Sequence, residues 1–195
     1  MRADPPTIDG IEVSTKTAMT IQDIATAVQR VESVLKRRPA AGIHDDAPAT
    51  ARWQTGLRVV TCHANGTQVP TDMPTELGGN GDEVTPGWLF RAGLASCLAT
   101  RIAMNAAAEG IELTALDVLA TSRSDLRGLL GMADSSNAPV GAGPSELQLR
   151  VRICAAGVPA ERLRLLVENS NLCSPVSAAT RDAVPVALRI DVDVA

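Results

Sequence analysis

Aromatic residues are almost absent from this 195-residue sequence, which contains Trp53, Trp88 and Phe90 but no tyrosine. Proteins that bind single-stranded nucleic acid stack the bases on aromatic side chains, and this chain has few to offer. The formal net charge of -4 also disfavours a surface that follows phosphates. We therefore expect no nucleic-acid partner and a core built from aliphatic residues and alanine.

The sequence also lacks the spacings of a metal site. Its four cysteines lie far apart without a C-x-x-C pair, and its two histidines do not repeat at ligand spacing; these residues are Cys62, Cys97, Cys154, Cys173, His44 and His63. A structural zinc site needs four such ligands at short spacings. We expect no metal and no other cofactor, and we interpret Cys62 and Cys154, at the ends of predicted strands, as packing cysteines.

Neither a secretory leader nor a membrane span is predicted. The N-terminal segment MRADPPTIDGIEV has no apolar stretch of the kind that a signal peptide contains. Residues 88–108 approach the length of a span, but Arg91 and Arg101 interrupt them. Each arginine costs roughly 2.5 to 3.5 kcal/mol at the centre of a membrane helix. We expect a cytoplasmic protein with free thiols, because that compartment is reducing.

The first 50 residues form a predicted N-terminal extension, made of one helix and a linker. Apolar residues recur at helical spacing over residues 21–39, and Pro39 stops the pattern. Residues 40–50 mix small residues, acids and a proline, which is typical of a linker. The main domain is therefore predicted to span residues 51–195.

Strand and helix patterns alternate along the main domain. A strand over 51–62, a turn and a strand over 67–71 form a predicted hairpin, and a glycine-rich loop follows. Thr85 and Pro86 have the residue types of a helix N-cap and a first helical position, and Gly110 ends the long helix. Further strands are predicted over 113–125, 145–154 and 184–194, with helices over 159–171 and 174–182. Strands with one covered face indicate an antiparallel α+β fold.

Three motifs, in order, carry a resemblance to a known family. They are TDMPTELGGNG, TPGWLFRAGLASCLATRIAMNAAAEGIEL and CSPVSAAT. With this order and spacing, the chain from about Arg52 to its end resembles the OsmC/Ohr family of thiol-dependent peroxidases. The resemblance implies an OsmC-like fold, in which antiparallel sheets wrap around long central helices in an intertwined homodimer. It also places the active sites at the dimer interface.

The resemblance implies a cysteine-based reaction. Cys97 matches the cysteine that attacks the hydroperoxide, and Cys173 is the candidate for the second cysteine, which resolves the sulfenic acid. The attack needs a thiolate, whereas an ordinary cysteine, with a pKa near 8.5, is mostly protonated at neutral pH. Arg101, one turn beyond Cys97, can supply a positive charge, although it can equally pair with an acid at the interface. The family's own arginine comes from the region before the long helix, where Arg52 and Arg58 lie.

The sequence departs from the family pattern at two positions. Gly87 occupies the position of the family's glutamate, with Glu83 just upstream as a possible substitute. Ser174, rather than a cysteine, directly precedes the proline of the second motif, and Cys173 lies one residue earlier. Disulfide geometry is strict, so this offset either blocks a bond between Cys97 and Cys173 or requires a loop adjustment.

We therefore expect a peroxidase that reduces organic hydroperoxides at the expense of a dithiol, weakly or in dependence on an external thiol. The aliphatic surroundings of Cys97 favour a small apolar hydroperoxide. The alternative is a non-catalytic dimer that binds a small apolar ligand or senses oxidants through Cys97. Its support is the absent glutamate and the displaced second cysteine.

Overall fold

The computed structural model describes residues 19–193, which form five α-helices and two antiparallel sheets. The elements are α1 (Ile21–Arg37), β1 (Thr50–Thr55), β2 (Arg58–Cys62), β3 (Gln68–Thr71), α2 (Pro86–Ala108), β4 (Leu113–Arg123), α3 (Leu126–Leu129), β5 (Ser145–Ala155), α4 (Ala160–Leu172) and α5 (Pro175–Arg181). Strands β1, β2 and β3 form one sheet in that order, and β4 pairs with β5. The predicted antiparallel α+β fold is confirmed.

Helix α2 is the central element, and its ends follow the sequence signals. The Thr85 hydroxyl accepts a hydrogen bond from the Trp88 amide at 3.2 Å, and Pro86 is the first helical residue. Gly110, with a φ of 67°, follows the C-cap in the left-handed conformation that favours glycine. The helix packs against α1, α4, α5 and β4. Among the described residues, no helix is long and apolar enough to cross a membrane.

One side of α2 forms the core of the chain. Leu94, Leu98, Ile102 and Ala106 recur every four residues and are all buried, because residues four apart lie on one helix face. Leu98, Ile102 and Ala106 join a cluster with residues of the β4–β5 sheet and of α4. The opposite side of α2 is left at or near the surface, and Cys97 lies there.

The predicted strand over 51–62 is two strands. Gly56, with a φ of 54°, lies in a tight turn between β1 and β2, and Trp53 Nε1 donates a hydrogen bond to its carbonyl at 2.9 Å. A left-handed φ there suits glycine, which carries no Cβ. The predicted hairpin corresponds to β2 and β3 and is confirmed.

The predicted last strand, 184–194, is wrong for the described part of the segment, since residues 184–193 contain no strand. A strand needs the backbone groups of a neighbour, and no described strand pairs with this segment. The alternation that suggested a strand is real. Its apolar side chains occupy every second position and are all exposed: Val184, Val186, Leu188, Ile190 and Val192.

Two other segments refine the predicted organisation. Thr20 and Asp23 form a reciprocal capping box that starts α1, and the helix packs on α2. The charged segment after β4 contains the short helix α3. Asp125 caps α3 and pairs with Arg127 at 2.6 Å, which explains the local charges.

Candidate active site

Cys97 opens into a groove between α2 and the junction of α4 with α5. The groove has a volume of about 390 Å³ and is lined by Ser96, Cys97, Thr100, Arg101, Met104, Cys173 and Pro175. Cys97 is half-buried and a free thiol, next to the buried Leu98. The three predicted site residues, Cys97, Cys173 and Arg101, therefore all border one groove.

Ser174 makes the direct contact with the candidate nucleophile. Its hydroxyl donates a hydrogen bond to Cys97 Sγ at 3.3 Å, and the residue is fully buried. Ser174 occupies the N-cap of α5, as its position before Pro175 predicts, but its side chain makes no capping hydrogen bond. The hydroxyl donates its hydrogen bond to Cys97 Sγ instead of to a backbone amide of α5.

Cys173 lies one residue away from this contact. It is the C-cap of α4, and it is exposed and free. It borders the groove, but its neighbour Ser174 holds the position that faces Cys97 Sγ. Both cysteines line the groove, but among the described residues it is Ser174 whose side chain hydrogen-bonds to Cys97.

Arg101 lines the groove one turn beyond Cys97. Its Nε is buried and has no hydrogen-bond partner, and no carboxylate of the described residues forms an ion pair with it. A buried donor without a partner is unusual and costly. The guanidinium is therefore available to an anionic group in the groove.

A polar link fixes α4 against α2 near the site. Asn105 Nδ2 donates to Ser170 Oγ at 2.9 Å, and Ser170 Oγ donates to the Leu166 carbonyl at 2.6 Å. Ser170 is fully buried and lies in the last turn of α4, four residues before Ser174. This link holds the end of α4, just before its junction with α5, on α2.

A second charged cluster surrounds Arg58 of β2. The guanidinium is paired with Asp82, with Asp72 at 3.7 Å and with Glu83 at 3.8 Å. The hydrogen bond with Asp82 is the main cause that raises the pKa of Arg58.

Asp72 anchors the loop that follows β3. Backbone amides of Asn80 and Met73 donate to its carboxylate at 3.0 and 2.8 Å, and these bonds, with a smaller contribution from Arg58, lower the pKa of Asp72. Gly79 is required here, since a Cβ would lie 1.8 Å from the Met73 carbonyl oxygen. The cluster thus joins Arg58 to Glu83, but neither residue lines the Cys97 groove of the same chain.

The remaining sequence candidates lie outside the groove. Gly87 does not line it, and the nearest atom to a Cβ at Gly87 would be Arg91 Nη1 at 3.8 Å. Cys62 is half-buried, whereas Cys154 is exposed, so the predicted packing role of Cys154 is wrong for the described chain. Within residues 19–193, no three metal-ligating side chains come together.

The contact of Ser174 with Cys97 escaped the sequence interpretation. Serine before a proline-started helix predicts a cap, and no local pattern shows that its hydroxyl turns toward another element. The sequence did offer one signal for this contact: Ser174 stands at the position where the family motif has a cysteine.

Comparison with known proteins identifies the family of this chain. The family model described as OsmC-like protein matches residues 79–189. No curated protein sequence matches the chain.

Three solved structures have the same fold. An OsmC-like protein from Mycoplasma pneumoniae is 14% identical, with 71% of this chain and 89% of that chain covered and a TM-score of 0.58. An organic hydroperoxide resistance protein OsmC from Legionella pneumophila is 22% identical, with 71% and 92% covered and a TM-score of 0.51. An organic hydroperoxide resistance protein from Elizabethkingia anophelis is 23% identical, with 71% and 90% covered and a TM-score of 0.51. At these identities the likeness shows the fold.

Proposed function

Because this chain belongs to the OsmC-like protein family, we propose that it is a thiol-dependent peroxidase that reduces organic hydroperoxides through Cys97. The observation that carries the proposal is the position of Cys97. Its sulfur borders a groove that also contains an unpaired buried guanidinium nitrogen, and it receives a hydrogen bond from a buried hydroxyl. Reactive cysteines lie in electropositive, partly exposed surroundings of this kind.

The reaction begins with attack of the Cys97 thiolate on the hydroperoxide. A sulfur–oxygen bond forms, the oxygen–oxygen bond breaks, and the departing alkoxide takes up a proton to become an alcohol. The sulfur is oxidised to a sulfenic acid and the hydroperoxide is reduced. No metal or organic cofactor takes part in this step. Arg101, at the edge of the groove, stabilises the thiolate and the developing negative charge on the leaving oxygen.

An external thiol completes the cycle. A first thiol condenses with the sulfenic acid, which forms a mixed disulfide and releases water. A second thiol attacks that disulfide, restores Cys97 and leaves as the oxidised dithiol. We prefer an external dithiol to Cys173, because Ser174 occupies the position that faces the sulfur and Cys173 is one residue removed.

The surroundings of the groove favour a substrate with an apolar part. A second open groove of about 530 Å³ shares Pro175 with the first and is lined mostly by apolar side chains, among them Phe90, Val176 and Ala179. Ligand pockets commonly measure about 300 to 1,000 Å³ and are lined by apolar groups with a few polar ones. A hydroperoxide group at Cys97 with its hydrocarbon part toward Phe90 fits this arrangement.

The proposed active form is a homodimer. The sheet of β1, β2 and β3 makes few contacts with the rest of the chain, and the apolar side chains of residues 184–193 are exposed. The exposed sheet and the exposed apolar side chains both suit burial against another protein surface. The family resemblance supports a second copy of this chain as that surface. Arg58 and Glu83, which pair with each other but lie outside the groove of their own chain, are candidates to approach Cys97 across that interface.

Two further expectations remain part of this proposal. We propose that the chain divides into an extension over residues 1–50 and an OsmC-like domain over 51–195, and that α1, which packs on α2, docks the extension on the domain. A cytoplasmic location would supply the reducing conditions in which a catalytic thiol turns over.

The second candidate function is an oxidant-sensing or small-molecule-binding dimer without turnover. The exposed position of Cys173, away from the contact between Ser174 and Cys97, favours it. The two functions differ in turnover: a sensor consumes about one hydroperoxide per Cys97 and stops.

The test is hydroperoxide consumption by the reduced full chain in the presence of dithiothreitol. Cumene hydroperoxide and hydrogen peroxide are compared at equal concentrations, with Cys97→Ser as the inactive variant and Cys154→Ser as the matched control. We expect many turnovers with the organic hydroperoxide, loss of activity in Cys97→Ser and retention in Cys154→Ser. Consumption that stops after one equivalent supports the sensor, and equal activity of both variants excludes Cys97 as the nucleophile.

A further inference from the structure

Within residues 19–193, Ser174 is the one fully buried hydroxyl whose partner is a sulfur atom. The hydrogen bond from Ser174 Oγ to Cys97 Sγ, at 3.3 Å, joins residues 77 positions apart in the sequence. A serine at a helix N-cap ordinarily bonds to the amides of the first turn, and this one does not. The Ser174 side chain therefore bonds to Cys97, and the first backbone amides of α5 have no side-chain cap.

The direction of this hydrogen bond bears on whether the sulfur is a thiol or a thiolate. A thiolate has no proton to donate and can only accept, whereas a thiol is itself a weak donor. Hydrogen bonds to charged groups are stronger than those between neutral groups, so a donor aimed at the sulfur favours the thiolate. Burial of Ser174 keeps water from competing for its hydroxyl.

We propose that Ser174 is a positioning residue for Cys97: its hydroxyl stabilises the thiolate and holds it toward the groove. The inference rests on the proposed peroxidase function, because the thiolate is the form that attacks a hydroperoxide. The hydroxyl cannot resolve the sulfenic acid by forming a disulfide. Reduction of the oxidised Cys97 therefore needs a thiol other than the side chain at position 174.

The rigid setting of Ser174 supports this role. Its backbone carbonyl accepts a hydrogen bond from the Ala178 amide at 2.9 Å, and Pro175 fixes the first turn of α5. The Asn105–Ser170 link, one turn earlier, holds α4 on α2. The hydroxyl is thus held in place from both sides of the junction.

The first test measures the rate of iodoacetamide alkylation of Cys97 against pH, by peptide mass spectrometry of the native full chain. In Ser174→Ala we expect alkylation near pH 6.5 to fall roughly tenfold and the rate profile to move to higher pH, from the loss of one hydrogen bond to a charged group. The matched control is Ser177→Ala. Ser177 lies on the same helix, is buried, and its hydroxyl has no partner.

The readout separates the inference from the peroxidase function. An unchanged alkylation profile in Ser174→Ala, with hydroperoxide reduction retained, overturns the inference and leaves the function intact. An equal shift in both alanine variants also overturns it, since a packing change would then be the cause. A protein that alkylates as expected but does not reduce hydroperoxides contradicts the function and not the hydrogen bond.

The second test probes the placement of the side chain. In Ser174→Cys the new thiol faces Cys97, and we expect diamide to oxidise the two thiols to a disulfide while the diamide is reduced. In Ser177→Cys, a matched variant three residues further along, the same treatment should give no disulfide with Cys97. Failure of the Ser174→Cys protein to form that disulfide, or equal formation in both variants, overturns the placement.

Discussion

Leu188→Glu should separate the proposed homodimer into single chains. Leu188 is 81% exposed in the chain and belongs to the row of apolar side chains at every second position of residues 184–193. Full burial of a leucine contributes about 1.5 to 3 kcal/mol, so about four-fifths of a side chain contributes about 2 kcal/mol. Two copies in a dimer then contribute about 4 kcal/mol, and loss of this amount weakens association about a thousandfold.

Sedimentation velocity over a range of protein concentrations measures this effect. The matched control is Ala187→Glu, which introduces the same charge at the neighbouring position, on the opposite face of an extended segment. We expect Ala187→Glu to remain dimeric at concentrations where Leu188→Glu is monomeric. Equal dissociation constants for Leu188→Glu and the parent, or equal weakening by both variants, would refute the idea that this row of side chains packs on a second copy.

Three further predictions concern the core, the loop after β3 and the thiols. Ile102→Ala should lower the free energy of unfolding by about 2 to 5 kcal/mol in urea titrations, because Ile102 is fully buried, whereas Thr100→Ala on the exposed side of α2 should change it little. Asp72→Asn should destabilise the chain at pH 7, and the difference in melting temperature should shrink as the pH falls below the ordinary carboxyl value of 3.8. The lowered pKa of Asp72 means that its contribution is present above the unfolded value and is lost as pH falls through the folded one. Brief alkylation of the native chain near pH 6.5 should label Cys97 before Cys62, since Cys97 borders an open groove beside the unpaired guanidinium nitrogen of Arg101, and reactive cysteines lie in such electropositive, accessible surroundings; simultaneous labelling would contradict this.

Local signals were enough to predict the helix that carries the site. Thr85, Pro86 and Gly110 are residue types with strong positional preferences at helix ends, so the bounds of α2 follow from short stretches of sequence. Cys97 followed from its place in a motif. In each case the information lies within one element, which is why it could be found without the structure.

Features that depend on distant partners could not be predicted in the same way. Ser174 has the sequence environment of a helix cap, and only the packing of α5 on α2 turns its hydroxyl to a sulfur 77 residues away. The segment 184–193 has the alternation of a strand, but a strand also requires a neighbouring backbone, which the described chain does not supply. Gly56 was visible as a glycine between two stretches of strand-like sequence, and the continuous strand pattern on both sides concealed the turn.

Oxidation of the reduced full chain by one equivalent of cumene hydroperoxide tests the central claim most directly. The remaining thiols are counted, and a sulfenic-acid trap of the 1,3-dicarbonyl class is followed by peptide mass spectrometry. We predict one equivalent of alcohol, trapped sulfenic acid at Cys97 and no disulfide between Cys97 and Cys173. Recovery of the hydroperoxide with Cys97 still reduced, or oxidation at another cysteine alone, would contradict the assignment of Cys97 as the attacking thiol.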